Sequence, residues 1–168
     1  AAGNAALLTL ASPGESNSLG SNKAMVVDGV VPIVSSVSSS STDGYYNEGD
    51  TLVLTVSFSE AVTVTGTPQL TLETGSTDAV ANYTSGSTSS VLAFRYVVTS
   101  GNNSSDLDYD STNALTLNSG TILDGAENPA NLTLAEPGAI KSLSISKALI
   151  IDTTNPIVSS VTEGSAIS

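Results

Sequence analysis

Carboxylates are the main chemistry this chain offers. It carries 16 Asp and Glu against four basic residues, Lys23, Arg95, Lys141 and Lys147, and has no His and no Cys, for a formal net charge of −12. Without thiol or imidazole, Cys–His zinc sites, thiol catalysis and every triad with an imidazole base are excluded within the chain. What remains is hard oxygen, and the cation that suits it is calcium. Asp106, Asp108 and Asp110 alternate with Leu107 and Tyr109, so an extended backbone would send all three carboxylates to one side, where they repel unless solvent or a cation screens them. The spacing is not that of an EF-hand: Ser111 stands at the sixth loop position, where glycine is needed, and Leu117 where the bidentate acid belongs. Asp28 and Asp152 each precede a proline, Pro32 and Pro156, that fixes the path into the next strand. Glu60, within FSEAV, and Asp124 with Glu127 are further oxygen donors expected on loops at one end of the fold. The competing expectation is plainer: a solvated acidic edge at 106–110 that discourages edge-to-edge pairing, turn hydrogen bonds at Asp28 and Asp152, and a strand end at Glu60. A paired-carboxylate hydrolase is chemically conceivable, but no acid sits in a context that suggests a cleft, and a non-catalytic protein is expected.

The elements that must hold these acids read as strands. TLVLTVSF, from Thr51 to Phe58, puts Leu52, Leu54, Val56 and Phe58 on one face, and VLAFRYVV, from Val91 to Val98, does the same with Leu92, Phe94, Tyr96 and Val98 while Arg95 points out. Pro68–Thr74 is a shorter version with Leu70 and Leu72 inward. Further strands are expected at Val31–Val37, Ala61–Thr65, Ala79–Tyr83, Ala114–Leu117, Thr121–Leu123, Leu132–Leu134 and Lys147–Ile151. Turn clusters such as DGYYNEGD, TSGSTSS and TSGNNSSD separate them, and no stretch carries a useful helical period. With 39% hydrophobic and only 12% charged residues, the chain is too apolar for disorder, and 4% aromatics make its core aliphatic. Many short strands predict an all-β protein, an immunoglobulin-like antiparallel β-sandwich, without the core disulfide or the core Trp of antibody domains.

The chain also repeats itself. Residues 4–41 align without a gap with residues 128–165 at an offset of 124, and twenty of the 38 positions are identical, among them Leu8/Leu132, Pro13/Pro137, Lys23/Lys147, Asp28/Asp152 and the run IVSSV. The division that follows is the end of one repeat, or a donated strand segment, in residues 1–27, one complete unit in 28–152, and the start of another in 153–168. The first residues lack the basic start and apolar core of a signal peptide, so an interior piece of a longer protein is expected.

The pattern D-x-x-x-P-x-V-x-S-V at Asp28–Val37 and again from Asp152, G-x-Y-x-x-G-D at Gly44–Asp50, VSFSEAV at Val56–Val62, GTPQLTLETG at Gly66–Gly75, SDLDY at Ser105–Tyr109 and GTILD at Gly120–Asp124 resembles bacterial immunoglobulin-like (Big-type) tandem repeats. The resemblance implies a spacer unit of a long extracellular stalk, fibre or adhesin on a bacterial cell surface, and, as in adhesin and cadherin-like arrays, junction acids such as Asp28 and Asp152 that bind calcium and stiffen the rod. Asp110, Glu127 and the linker GVVP at Gly29–Pro32, where the second copy has TTNP at Thr153–Pro156, depart from the pattern. The partners expected are neighbouring copies of the same unit, joined covalently or by strand donation, with surface glycans or proteins as a further class. Strong negative charge excludes a phosphate backbone as partner, and no run approaches the roughly 18 apolar residues of a spanning helix, so neither nucleic acid nor direct membrane insertion is expected.

Overall fold

Residues 2–161 are described by the computed structural model. Their strands are β1 (Val34–Ser39), β2 (Gly44–Tyr46), β3 (Thr51–Thr65), β4 (Gln69–Glu73), β5 (Ala79–Ser85), β6 (Ser89–Val97), β7 (Asn103–Ser104), β8 (Asp108–Tyr109), β9 (Leu115–Thr116), β10 (Thr121–Leu123) and β11 (Leu149–Asp152), with two single-turn helices, α1 (Leu19–Asn22) and α2 (Leu143–Ser146). The fold is all-β. An eight-stranded sheet runs β1-β3-β6-β5-β4-β8, with β10 added to β3 and β9 to β4, and a three-stranded sheet runs β2-β11-β7. Every pairing in the large sheet is antiparallel. In the small sheet β11 is antiparallel to β7 but parallel to β2. The helix α2 packs on both β1 and β8, which lie at opposite ends of the large sheet's strand order, so that sheet curls until its ends meet across α2.

Period-two burial does the folding. Leu52, Leu54, Val56 and Phe58 of β3 face Leu92, Phe94 and Tyr96 of β6 and join Leu70 and Leu72 of β4, while Leu107, Leu149 and Ile151 enter the same apolar cluster from the other side. Arg95 points outward as expected. Tyr83 meets Phe94 edge to face at 5.9 Å.

Three local expectations are corrected. Ala61–Thr65 is not a separate strand but the second half of β3, which continues through a register shift between Ser57 and Val62 against β6. Leu132–Leu134 forms no strand, although Leu134 is buried. Tyr45 and Tyr46, placed in a turn, belong to β2. The turn between β9 and β10 depends on glycine: a Cβ at Gly66, which has φ +69, would stand 2.8 Å from the Gly120 Cα, and one at Gly120 would collide with the Thr65 carbonyl. That close approach lets β10 lie on the end of β3, which brings Asp124 towards Glu60.

Residues 2–27 stand apart: none of them belongs to the core cluster. Of the segment 153–168, residues 162–168 lie outside the described residues.

Candidate functional site

Seven acids were candidates for metal binding, with Glu127 as a further oxygen donor beside Asp124, and the fold brings three of the seven together. Among the described residues, carboxylate oxygens of Asp28, Glu60 and Asp124 lie within 4.8 Å of one another. Each comes from a different part of the chain, and each position has a local cause. Glu60 follows Phe58 at the inward parity of β3, within the register shift between Ser57 and Val62, and it is half-buried. Asp124 directly follows β10 and is buried; its Oδ1 accepts the amides of Ala126 and Asn128, both at 2.8 Å, and its Oδ2 accepts the Asn128 side-chain amide at 2.8 Å. Asp28 ends the first copy of the duplicated segment, and its Oδ1 accepts the Val30 amide at 3.0 Å. Asn128 joins the two: its Nδ2 also donates to the Asp28 carbonyl at 3.1 Å. The path beyond Asp28 is pinned on both sides, since the Ile33 amide donates to Ser59 Oγ, the Ser59 amide to the Ile33 carbonyl, and the Asn131 amide to the Pro32 carbonyl.

The electrostatics follow from that geometry. Desolvation, then repulsion from Asp28 and Asp124, raise the Glu60 pKa above the ordinary 4.5. For Asp124, desolvation pushes upward but is outweighed by hydrogen bonds from Asn128, Ala126 and Glu127, so its pKa falls below 3.8. Asp124 is thus held as an anion, while charge on Glu60 is disfavoured. Two oxygens bound to one calcium at 2.3–2.6 Å are at most about 5 Å apart, so the three carboxylates meet the spacing of a shared hard cation. They would supply up to six oxygens; no nitrogen or sulfur donor competes, which suits calcium or magnesium over a transition metal.

The other four acids stay apart from this group. Asp106 and Asp110 are exposed, whereas Leu107, Asp108 and Tyr109 are all buried, so the three aspartates do not line one side. The reason is that β8 is only two residues long and Asp108 is drawn inward by four donors: the amides of Tyr109 (2.9 Å), Gly138 (2.9 Å) and Leu143 (3.2 Å), and Ser144 Oγ (2.7 Å). A buried carboxylate so fully bonded is an anchor for α2 and the loop before it. Asp152 ends β11, and its Oδ1 accepts the Thr154 amide at 2.9 Å, the same turn that Asp28 makes with Val30. Around it lies a cleft of about 480 Å³ lined in part by Asn47, Glu48, Ser100 and Asn155. Glu127, expected beside Asp124, does not join the three-acid group.

Asn128 and Asn102 carry roles that the residue types did not reveal. Asn102 is buried and bonded to Tyr96 Oη, to the Thr99 amide and hydroxyl, and to Thr74 Oγ1. For Asn128 a signal existed: it opens the second copy of the duplicated segment, opposite Asn4.

No family model, no curated protein and no solved structure matches the chain.

Proposed function

We propose that this protein is a structural unit of a tandem array on a bacterial cell surface, a non-catalytic spacer whose junctions are closed by calcium. One observation carries the reading: the two copies of the duplicated segment end at opposite ends of the domain. Asp28 is fastened beside Glu60 and Asp124, at the far half of β3, while Asp152 emerges beside Asn47, Glu48 and Ser100, next to the strand's beginning at Thr51. From Thr51 to Glu60 is nine residues of β-strand, a rise of about 30 Å. A unit entered at one end by the segment that leaves at the other propagates head to tail, and Asp152 would meet in a following unit the counterparts of Glu60 and Asp124. With five residues between Asp28 and the start of β1, the junction is short, and a cation among the three acids would remove the repulsion that raises the Glu60 pKa. The surface location rests on the resemblance to bacterial immunoglobulin-like repeats. Like charge keeps neighbouring stalks apart.

Thermal unfolding of a three-unit polypeptide, with calcium and with chelator, tests this. The proposal expects a calcium-dependent rise in Tm that Asp124→Asn abolishes. An identical Tm in both conditions would remove calcium from the account.

A further inference from the structure

We propose that successive copies of this unit abut directly, because the linker Asp152–Pro156 is gripped both by the unit it leaves and by the unit it enters. The partner is the following copy, and the surface it offers is Ser59 with the stretch Asn128–Asn131. The inference rests on the array reading and deepens it, by naming a contact that needs no cation.

The duplication carries the argument. Residues 28–33 enter a unit, and residues 152–157, at the 124-residue offset, are the matching stretch that leaves one. Asp, Pro and Ile stand at 28, 32 and 33 and again at 152, 156 and 157. Both stretches begin with the same turn, in which the aspartate Oδ1 accepts the amide two residues on, from Val30 at 3.0 Å and from Thr154 at 2.9 Å. They are one kind of linker, seen once from the unit it enters and once from the unit it leaves.

The unit that is left holds the middle of the linker. The Thr153 amide donates to Asn103 Oδ1 at 3.0 Å, and Thr154 Oγ1 donates to the same oxygen at 3.1 Å. Thr153 Oγ1 also donates to the Asn102 carbonyl and accepts the Gly101 amide, both at 3.0 Å. The anchor is firm, because the buried Asn102 side chain ties this loop to Tyr96 and Thr99. The unit that is entered holds the linker's ends. Asn128 Nδ2 donates to the Asp28 carbonyl at 3.1 Å, the Asn131 amide to the Pro32 carbonyl at 2.8 Å, and Ser59 Oγ accepts the Ile33 amide at 3.1 Å.

Superposed, the two sets of bonds use different groups of the linker, so both form at once. One peptide carries the joint. The N–H between Asp152 and Thr153 faces Asn103 of one unit, and its C=O, matching that of Asp28, takes Asn128 of the next. In a trans peptide these groups point opposite ways, so Asn103 Oδ1 and the neighbour's Asn128 Nδ2 stand at most about 8.5 Å apart. Units separated by the thickness of one peptide are in contact. The linker GVVP holds less. Gly29 and Val30 stand where Thr153 and Thr154 do, so a unit left through GVVP receives the amide but neither hydroxyl, and that joint is the looser of the two.

The test joins two units at the native period, residues 1–156 followed by residues 33–168. Ser90, exposed on β6, is changed to Cys in each unit of this cysteine-free chain, and the distance distribution between spin labels is read by double electron–electron resonance in chelator. A free linker of five residues would spread the units by on the order of 12 Å; the expected distribution is several-fold narrower. Thr153→Gly with Thr154→Val, the residues of the first copy, should broaden it about twofold or more. Thr153→Val, which keeps the shape and removes the hydroxyl, should broaden it less. Asn103→Ala should broaden it when placed in the first unit and not in the second, and Asn128→Ala in the second and not in the first; a merely structural role would not depend on which unit carries the change. A broad distribution without any of these substitutions, or widths that ignore where they are placed, overturns the inference. Calcium separates that failure from failure of the array reading. A joint broad in chelator and narrow in calcium leaves the calcium-closed array standing without the direct contact, whereas a joint narrow in chelator, with a Tm that ignores calcium, keeps the contact and removes the cation.

Discussion

Residues 4–28 and 128–152 have much the same sequence but opposite surroundings. Both fold a single-turn helix behind a serine cap, both place a left-handed residue at the same point, and both end in an aspartate that accepts the amide two residues on. Only the second copy forms a strand, at Leu149–Asp152. The turn is therefore written into the local sequence through glycine's freedom at positive φ, and the helix through its own backbone hydrogen bonds; Ser18 caps the first helix with its side chain, whereas Ser142 makes no such bond and Asp108 takes the Leu143 amide instead. The strand is not: it requires β2 and β7 on either side and the core beneath. Local chemistry shapes the segment, and the groove makes it a strand.

The largest way to break this symmetry is at the core. Leu143→Ala should cost about 2–5 kcal/mol, as buried leucines do, while Leu19→Ala should stay within about 0.5 kcal/mol; urea denaturation of the two variants reads the difference. Asp108→Ala comes next, at about 2–3 kcal/mol, since it strands the buried Leu143 amide and its neighbours. The core that the second copy joins carries a pH response. Burial, with Asp108 and Glu136 adding to it, pushes the Tyr109 pKa up to about 12, and burial alone does the same for Tyr96. Unfolded tyrosines ionise near pH 10, so the unfolded state loses protons first and stability should fall as pH rises from 10 towards 12. Tyr109→Phe, which also gives up the hydroxyl's bond to the Ala135 carbonyl, should flatten that slope in denaturation measured at successive pH values.

Smaller effects sharpen the comparison at the junction. A raised Glu60 pKa means that its charged form disfavours the fold, an effect absent below about pH 4.5 and growing as pH rises through the folded value. Glu60→Gln should therefore raise Tm modestly at neutral pH in chelator and remove most of the gain from calcium. Asp124 has the opposite sign: its contribution is present above about 3.8 and fades as pH falls below that. The smallest effect is expected for Lys147→Ala, below about 1 kcal/mol as for other partly exposed ion pairs.

Alternation in Thr51–Phe58 and Val91–Val98 made the two central strands legible, because a half-buried strand repeats every two residues. The weaker elements were not: β2, β7 and β8 are two or three residues long, too short for any period, and exist through their partners. Asp108 misled for a related reason. Its alternation with Asp106 and Asp110 looks like a row of exposed acids, yet three of the four donors that turn it inward, at residues 138, 143 and 144, lie thirty residues or more further along. Asp28, Glu60 and Asp124 were each visible as acids near turns, yet their meeting depends on the Gly66–Gly120 approach, a contact between distant backbones that spacing along the chain does not encode.

Head-to-tail propagation is the central claim, and small-angle scattering of polypeptides of one, two and three units in calcium tests it most directly. The account predicts a maximum dimension that grows by a constant step, roughly 30–40 Å per unit from the strand length, with a cross-section that does not change. A particle whose maximum dimension hardly grows from one unit to three, as units folding back on one another would give, contradicts it.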